Sequence, residues 1–357
     1  MAAQDAKRQV ELDFVRGIAI LLVLHFHSSS ANVFVYPTPN LPLINFGWAG
    51  VNLFFVLSGF LVGGLLCKEW LRTGAVDAKR FLWRRAFKIW PGYYALVAAY
   101  VITRKQPLDT FLWQNLANIQ NYTGTSISHS WSLAVEEHFY LLFAFSTWWC
   151  ASKKVTVRRF FLGLLVAYVG VAVLRTCLAF MNVRYFFFTH SRIDGLLLGV
   201  MLAILFHFSQ ERFLELQRRK VLLGLTLTAA VTILFLCPQF DGYGFQVLAA
   251  DLGSAAFLLL TYHPGRTHSR LYALVASIGV YSYGIYLWHG SVATPVIALL
   301  ARVGLPSLEY PVRLVAAILL GVLMSKLIEF PFLRLREAMI PARVKSPAVP
   351  ANSAQAA

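Results

Sequence analysis

From residue 14 onward, the chain returns again and again to apolar runs about as long as a bilayer is thick. A helix rises about 1.5 Å per residue, so roughly twenty apolar residues cross a hydrocarbon core of about 30 Å. Ten stretches fit, at about residues 14–31, 47–66, 88–103, 132–150, 160–179, 191–208, 221–237, 244–262, 281–301 and 311–331. Lipid offers no partner for exposed backbone groups, so runs of this length must form helices. The expected fold is all-α, a polytopic integral membrane bundle of about ten transmembrane helices. Residues 268–278 form a short helix or the start of the ninth span.

Composition agrees. The chain is 58% hydrophobic and 13% charged, against about 25% charged in soluble domains. The first apolar run is read as a membrane helix and not as a cleavable leader, because nine more follow it. Residues 1–339 form one membrane domain, and residues 340–357, rich in Pro, Ala and Ser, form a disordered cytoplasmic tail. Cys67, Cys150, Cys177 and Cys237 have no metal-ligand spacing, so no metal site is expected.

The net charge of +16 does not imply nucleic acid as a partner, because loop placement of Lys and Arg explains it. With the N-terminus inside, 23 basic residues fall in inside segments. Only Arg104, Lys105, Arg175, Arg184, Arg192, Arg302 and Arg313 fall outside or at span edges, with Arg16 and Lys326 unassigned. An odd number of spans breaks this alternation. Ten spans with both termini cytoplasmic are therefore expected, in the bacterial inner membrane.

Against this background the polar residues inside the runs stand out. The stretch LDFVRGIAILLVLHFH, Leu12 to His27, carries Arg16 and His27 eleven positions apart. That is close to three full turns, so the two side chains share a face about 16 Å apart. His25 points nearly the opposite way. A snorkelling Arg and a packing His are the structural alternative, but an ionisable residue inside a membrane is a functional candidate by default. Asn52, in the second span, needs a polar partner. The glycines around it, Gly47, Gly50, Gly59, Gly63 and Gly64, suit close helix contact.

Arg84, Arg85 and Lys88 precede the third span in FLWRRAFKIWPGYY. They either anchor the chain to anionic lipid or bind a phosphorylated donor. Pro91 caps or kinks the helix that follows. In HSWSLAVEEHFY, Glu136 and Glu137 follow Trp131 at the start of the fourth span, and one carboxylate is expected to face the interior. His27 and Glu136 are expected at a shared depth in the outer half. Arg192 and Asp194 are expected either to pair or to line an acceptor pocket. Tyr286 and His289 share a face of the ninth span, and Lys326 is expected to pair with Glu329 or with lipid headgroups.

Six stretches, LDFVRGIAILLVLHFH, GVNLFFVLSGF, FLWRRAFKIWPGYY, HSWSLAVEEHFY, SRIDGLLLG and YSYGIYLWH, occur in order between residues 11 and 290. Together they resemble the membrane-bound family 3 acyltransferases, which include bacterial O-antigen and exopolysaccharide O-acetylases. The resemblance places the family's first-span arginine and histidine on Arg16 and His27, and its WSLxxE glutamate on Glu136. The family's basic motif falls on Arg84, Arg85 and Lys88, the last commonly arginine, and His138 stands where glutamine is usual.

The resemblance implies acyl transfer from acyl-CoA, expected to be acetyl-CoA, to a hydroxyl of an envelope or exported glycan. His27, Glu136 and Arg16 are then catalytic. Arg84, Arg85, Lys88, Tyr286 and His289 bind the donor, and Arg192, Asp194, Trp131 and Asn52 bind the acceptor. No permanently bound cofactor is expected. The expected partners are acyl-CoA, a glycan or lipid-linked glycan, membrane lipids, and a second copy of the chain in a homodimer. Two competing readings remain at this point: a transporter or flippase, and an acyltransferase acting on a small molecule.

Overall fold

The computed structural model describes residues 9–30, 47–104, 108–183, 186–236, 244–264 and 267–341. Residues 342–357 of the predicted tail, and Cys237, lie outside them. Among the described residues every regular element is helical. The helices are α1 (Val10–Ser30), α2 (Ala49–Thr73), α3 (Ala78–Arg104), α4 (Leu108–Leu116), α5 (Gln120–Thr123), α6 (Trp131–Ser152), α7 (Val157–Phe180) and α8 (Asp194–Phe208). They continue with α9 (Gln210–Arg218), α10 (Lys220–Leu236), α11 (Phe245–Thr261), α12 (Arg270–Val280), α13 (Ser282–Arg302), α14 (Glu309–Met324) and α15 (Phe330–Met339).

Each of the ten predicted runs falls on a helix. Four rods are long and apolar enough to cross a bilayer unaided: α2, α7, α13 and the continuous stretch Pro306–Met339. A fifth is added if α8 and α9, bent by 116°, count as one span. α1, α3 and α6 are equally long, at 21, 27 and 22 residues. Their polar residues keep them out of that group, and they are the helices that build the site below. The protein is a helical, multi-pass membrane protein.

Small residues set the closest helix contacts, as expected where lipid supplies no drive for helix association and packing must do so. A side chain on Gly59 of α2 would run into the backbone of α8 at Leu196, and one on Gly199 of α8 into the backbone of α2 at Val56. Gly17 of α1 and Gly279 of α12 lock in the same way against Val275 and Asp13. Gly50 of α2 meets the Ala19 carbonyl of α1 in the same way, so α1 is held between α2 and α12.

Three features depart from a simple row of spans. Residues 270–280 form a helix of their own, separated from α13 by a break at Tyr281. Pro91 lies inside α3, which runs through it. Between α14 and α15 the chain widens into a π-helical turn at Ser325–Glu329. Such turns often occur at functional positions. This one directs Glu329, 4% exposed, to Lys88 of α3 at 3.0 Å, and Ser325 Oγ donates to its other oxygen at 3.0 Å. The expected Lys326–Glu329 pair is therefore corrected: Lys326 faces outward and Glu329 inward.

Candidate functional site

Two cavities lie on one face of α1. The first, about 190 Å3, is lined by Arg16 of α1, Ser58 of α2, Arg85 and Lys88 of α3, and Ser132, Glu136 and Tyr140 of α6. Gly279, Val280, Ser282, Tyr283 and Tyr286 also line it, beside apolar residues of α2, α3 and α6, so the break between α12 and α13 opens onto this cavity. Irregular backbone at membrane depth is tolerated where it lines a polar cavity. The second cavity is lined by His27 and Ser28 of α1, His129, His289 and Gly290, and Arg313 of α14. Arg16 thus faces the first and His27 the second, as their eleven-residue spacing allows.

In the first cavity the cations are held at different strengths. Arg16 Nη1 pairs with the Asp13 carboxylate at 2.7 Å, one turn away. Lys88 is paired with Glu329 as described. The Arg85 guanidinium lies 5.7 Å from the Phe81 ring centre, and its Nε is buried without a hydrogen-bond partner. Arg84, next to it, turns away by about 100° on the helix. It donates to both oxygens of Glu337 on α15, at 2.7 and 3.3 Å, and to the Ile340 carbonyl. The expected trio of phosphate ligands therefore divides. Arg85 and Lys88 line the cavity, and Arg84 ties α3 to α15.

Glu136 belongs to this first cavity and not to His27. Its carboxylate accepts from the Tyr140 hydroxyl at 2.9 Å, and Tyr140 in turn contacts Ser58 Oγ at 2.8 Å. His27 and Glu136 line different cavities. The polar stretch before α6 folds onto the middle of α3, where Tyr93 donates to Asn115 at 3.0 Å and Tyr94 to the Leu116 carbonyl at 3.3 Å. Glu137 accepts instead from Trp90 Nε1 at 3.1 Å.

The second cavity gathers three imidazoles. The His27 and His289 ring centres are 4.8 Å apart, and those of His129 and His289 4.5 Å. Each ring is anchored by a backbone carbonyl, which can only accept. His27 Nδ1 donates to Val23 at 3.0 Å, His289 Nδ1 to Tyr286 at 2.5 Å, and His129 Nε2 to Leu287 at 3.0 Å. In the neutral form, the other nitrogen of each ring is the basic one. For His27 this is Nε2, the nitrogen that can take a proton from a hydroxyl. Among the described residues no His, Cys, Asp and Glu group has the arrangement of a metal site.

Arg313 holds His27 in place. It is 5% exposed and donates to the His27 carbonyl at 2.9 Å, the Ser28 carbonyl at 3.1 Å and Glu309 at 3.1 Å. It thereby caps the end of α1 with a positive charge, where the helix dipole favours one. In the sequence, Arg313 and Arg175 stand only as charges outside or at span edges, and nothing marks out His129. The basic residues did stand at the ends of apolar runs, but nothing local linked them to α1 or α8. His25 is on the opposite side of α1, with Nδ1 2.6 Å from the Tyr310 hydroxyl of α14.

The four residues expected to bind the acceptor line neither cavity. They form a buried network among α2, α6, α7, α8 and α11. Asp194 pairs with Arg175, not with Arg192, at 2.5 Å, and both side chains are 1% exposed. Arg192 donates to Asn52 at 3.0 Å, and Asn52 donates to Asp251 at 2.7 Å. The Arg192 guanidinium is enclosed by aromatic rings, 4.5 Å from Phe186, 5.2 Å from Trp131 and 6.0 Å from Trp48.

A family model described as an acyltransferase domain matches residues 9–329. The O-acetyltransferase OatA of Staphylococcus aureus (strain NCTC 8325) is 23% identical over 356 residues, covering 90% of this chain and 56% of that protein. The peptidoglycan O-acetyltransferase OatA of Listeria monocytogenes is 26% identical over 323 residues, covering 79% of this chain and 49% of that protein. The chain spans about half the length of these curated relatives. No solved structure matches it.

Proposed function

The chain belongs to the family defined by that acyltransferase domain, and from this premise we propose that it is an O-acyltransferase. In this reading it moves an acyl group, acetyl in the first instance, from acyl-CoA to a hydroxyl of a cell-envelope glycan. One observation carries the proposal. A single face of α1 presents Arg16 to a cation-lined cavity and His27 to a cluster of imidazoles, with Tyr286 and Ser132 between. Acyl-CoA brings phosphates and a thioester, and the acceptor brings a hydroxyl that must lose a proton. A cationic chamber joined to a basic one suits that pair.

The donor's phosphates bind Arg16, Arg85 and Lys88, and the thioester threads toward His27. His27 Nε2 takes the proton from the acceptor hydroxyl as general base, the role imidazole most often fills. Arg313 positions His27 through its carbonyl. Glu136, hydrogen-bonded to Tyr140, holds the polar wall of the donor chamber. The enclosed apolar setting excludes water from the thioester. The resident membrane is the bacterial inner membrane, with both termini and the cationic chamber on the cytoplasmic side and the imidazole pocket toward the exterior.

The reading is tested by mass spectrometry of envelope glycans from cells with and without the intact gene. A species heavier by one acyl group is expected only with the gene. Identical spectra would contradict glycan acylation.

Two further outcomes are expected. Arg85→Gln should weaken acyl-CoA binding about tenfold or more, because a hydrogen bond to a charged group contributes about 1.5–3 kcal/mol. Arg84→Gln should leave donor affinity within about twofold, because Arg84 serves the α3–α15 contact. Titration calorimetry on purified variants separates them, and equal loss in both would reject the division. For orientation, reporter fusions after Met339 should read as cytoplasmic, and insertions between residues 104 and 108 as exterior. The same signal at both sites would contradict the expected topology.

A further inference from the structure

The acyl group has to pass between the two cavities, and this inference rests on the donor and acceptor assignment above. Tyr286 and Ser132 form the partition. Tyr286 is 6% exposed and Ser132 4%, and both line the donor cavity. The Tyr286 ring meets two imidazoles of the second cavity, edge-on to His129 at 5.8 Å and 5.7 Å from His289. The Tyr286 hydroxyl donates to the His129 carbonyl at 2.7 Å. Ser132 Oγ touches the Tyr286 hydroxyl and reaches the same carbonyl at 3.4 Å.

Two hydroxyl donors therefore share one backbone acceptor. One can turn to an arriving oxygen while the other keeps the buried carbonyl satisfied, so the turn leaves no orphaned group. The imidazoles beside them already spend their N–H groups on carbonyls, so in the neutral form their remaining nitrogens have no proton to offer an oxyanion. The hydroxyl pair is thus the neutral donor set at the place where the thioester carbonyl must sit.

We propose that Tyr286 and Ser132 form the oxyanion hole of the transfer step. The acceptor oxygen attacks the thioester carbonyl carbon, and its proton moves to His27 Nε2. The carbonyl electron pair shifts onto oxygen and is held by the hydroxyl that turns to it, while the other hydroxyl keeps the His129 carbonyl satisfied. When the pair returns, the carbon–sulfur bond breaks and the departing CoA sulfur takes the proton from His27. The ester and free CoA are left, and His27 is neutral again.

The test uses purified full-length protein, acetyl-CoA and envelope glycan, with Tyr286→Phe, Ser132→Ala and the double variant. Each single variant should lower kcat about 10²–10³-fold, the cost typical of losing one such donor. The KM for acetyl-CoA and the melting temperature should stay close to the parent's. S-ethyl-CoA, a thioether without the carbonyl, should bind parent and variants alike. Variants that turn over within threefold of an active parent overturn this assignment alone. Loss of turnover matched by loss of S-ethyl-CoA binding marks structural damage and also overturns it. A parent that releases no CoA overturns the donor reading, and the assignment with it.

Discussion

His27→Ala is expected to lower acyl transfer by about 10²–10⁴-fold, the range for a positioned general base. His27→Gln should fail equally, because glutamine keeps a hydrogen-bond donor but cannot cycle a proton at neutral pH. His25→Ala should retain transfer. The two side chains differ by about 200° around α1. The structure puts His27 among the imidazoles, and His25 against Tyr310. CoA release in membranes supplied with acetyl-CoA and glycan measures all three. Robust turnover by His27→Gln would reject general-base catalysis at this position. Loss confined to His25→Ala would move the chemistry to the other side of the helix.

Asp194→Ala is expected to have the largest effect on stability. It strands the Arg175 guanidinium, 1% exposed, in a buried site. Breaking one partner out of a buried ion pair costs about 3–5 kcal/mol. Arg175 also donates to the carbonyls of Gly244 and Ser191, at 3.2 and 2.9 Å, so its displacement would loosen the start of α11 and the turn before α8. The double variant Arg175→Met/Asp194→Leu should recover much of the loss, because apolar residues of similar size remove the stranded charge. Thermal melting in detergent reads both variants. Equal melting of parent and Asp194→Ala would mean that the pair does not hold these helices together.

The two expectations differ in how far the sequence alone reached. The His25 and His27 assignment follows from helix geometry, because it concerns one helix and one period. Arg16 and His27 emerged in the same way, as did the placement of every predicted run on a helix. Contacts between distant segments were beyond such reasoning. Asp194 finds Arg175 and not the nearby Arg192, because Arg192 is drawn into the rings of Phe186, Trp131 and Trp48. Arg84 and Arg85 are neighbours of one type, and only the packing of α15 tells them apart. Glu136 lines the cavity of Arg16 and not that of His27, a distinction that the length of an apolar run does not carry. The Lys88–Glu329 pair depends on a π-helical turn that no local signal in SKLIE announced.

The most direct measurement follows acetyl-CoA, labelled in its acyl group, in membranes containing the protein and an envelope glycan. The label should appear on the glycan as a base-labile ester, with one CoA released per ester and no release when the glycan is omitted. Movement of the glycan across the membrane without CoA release would contradict the account and point to transport.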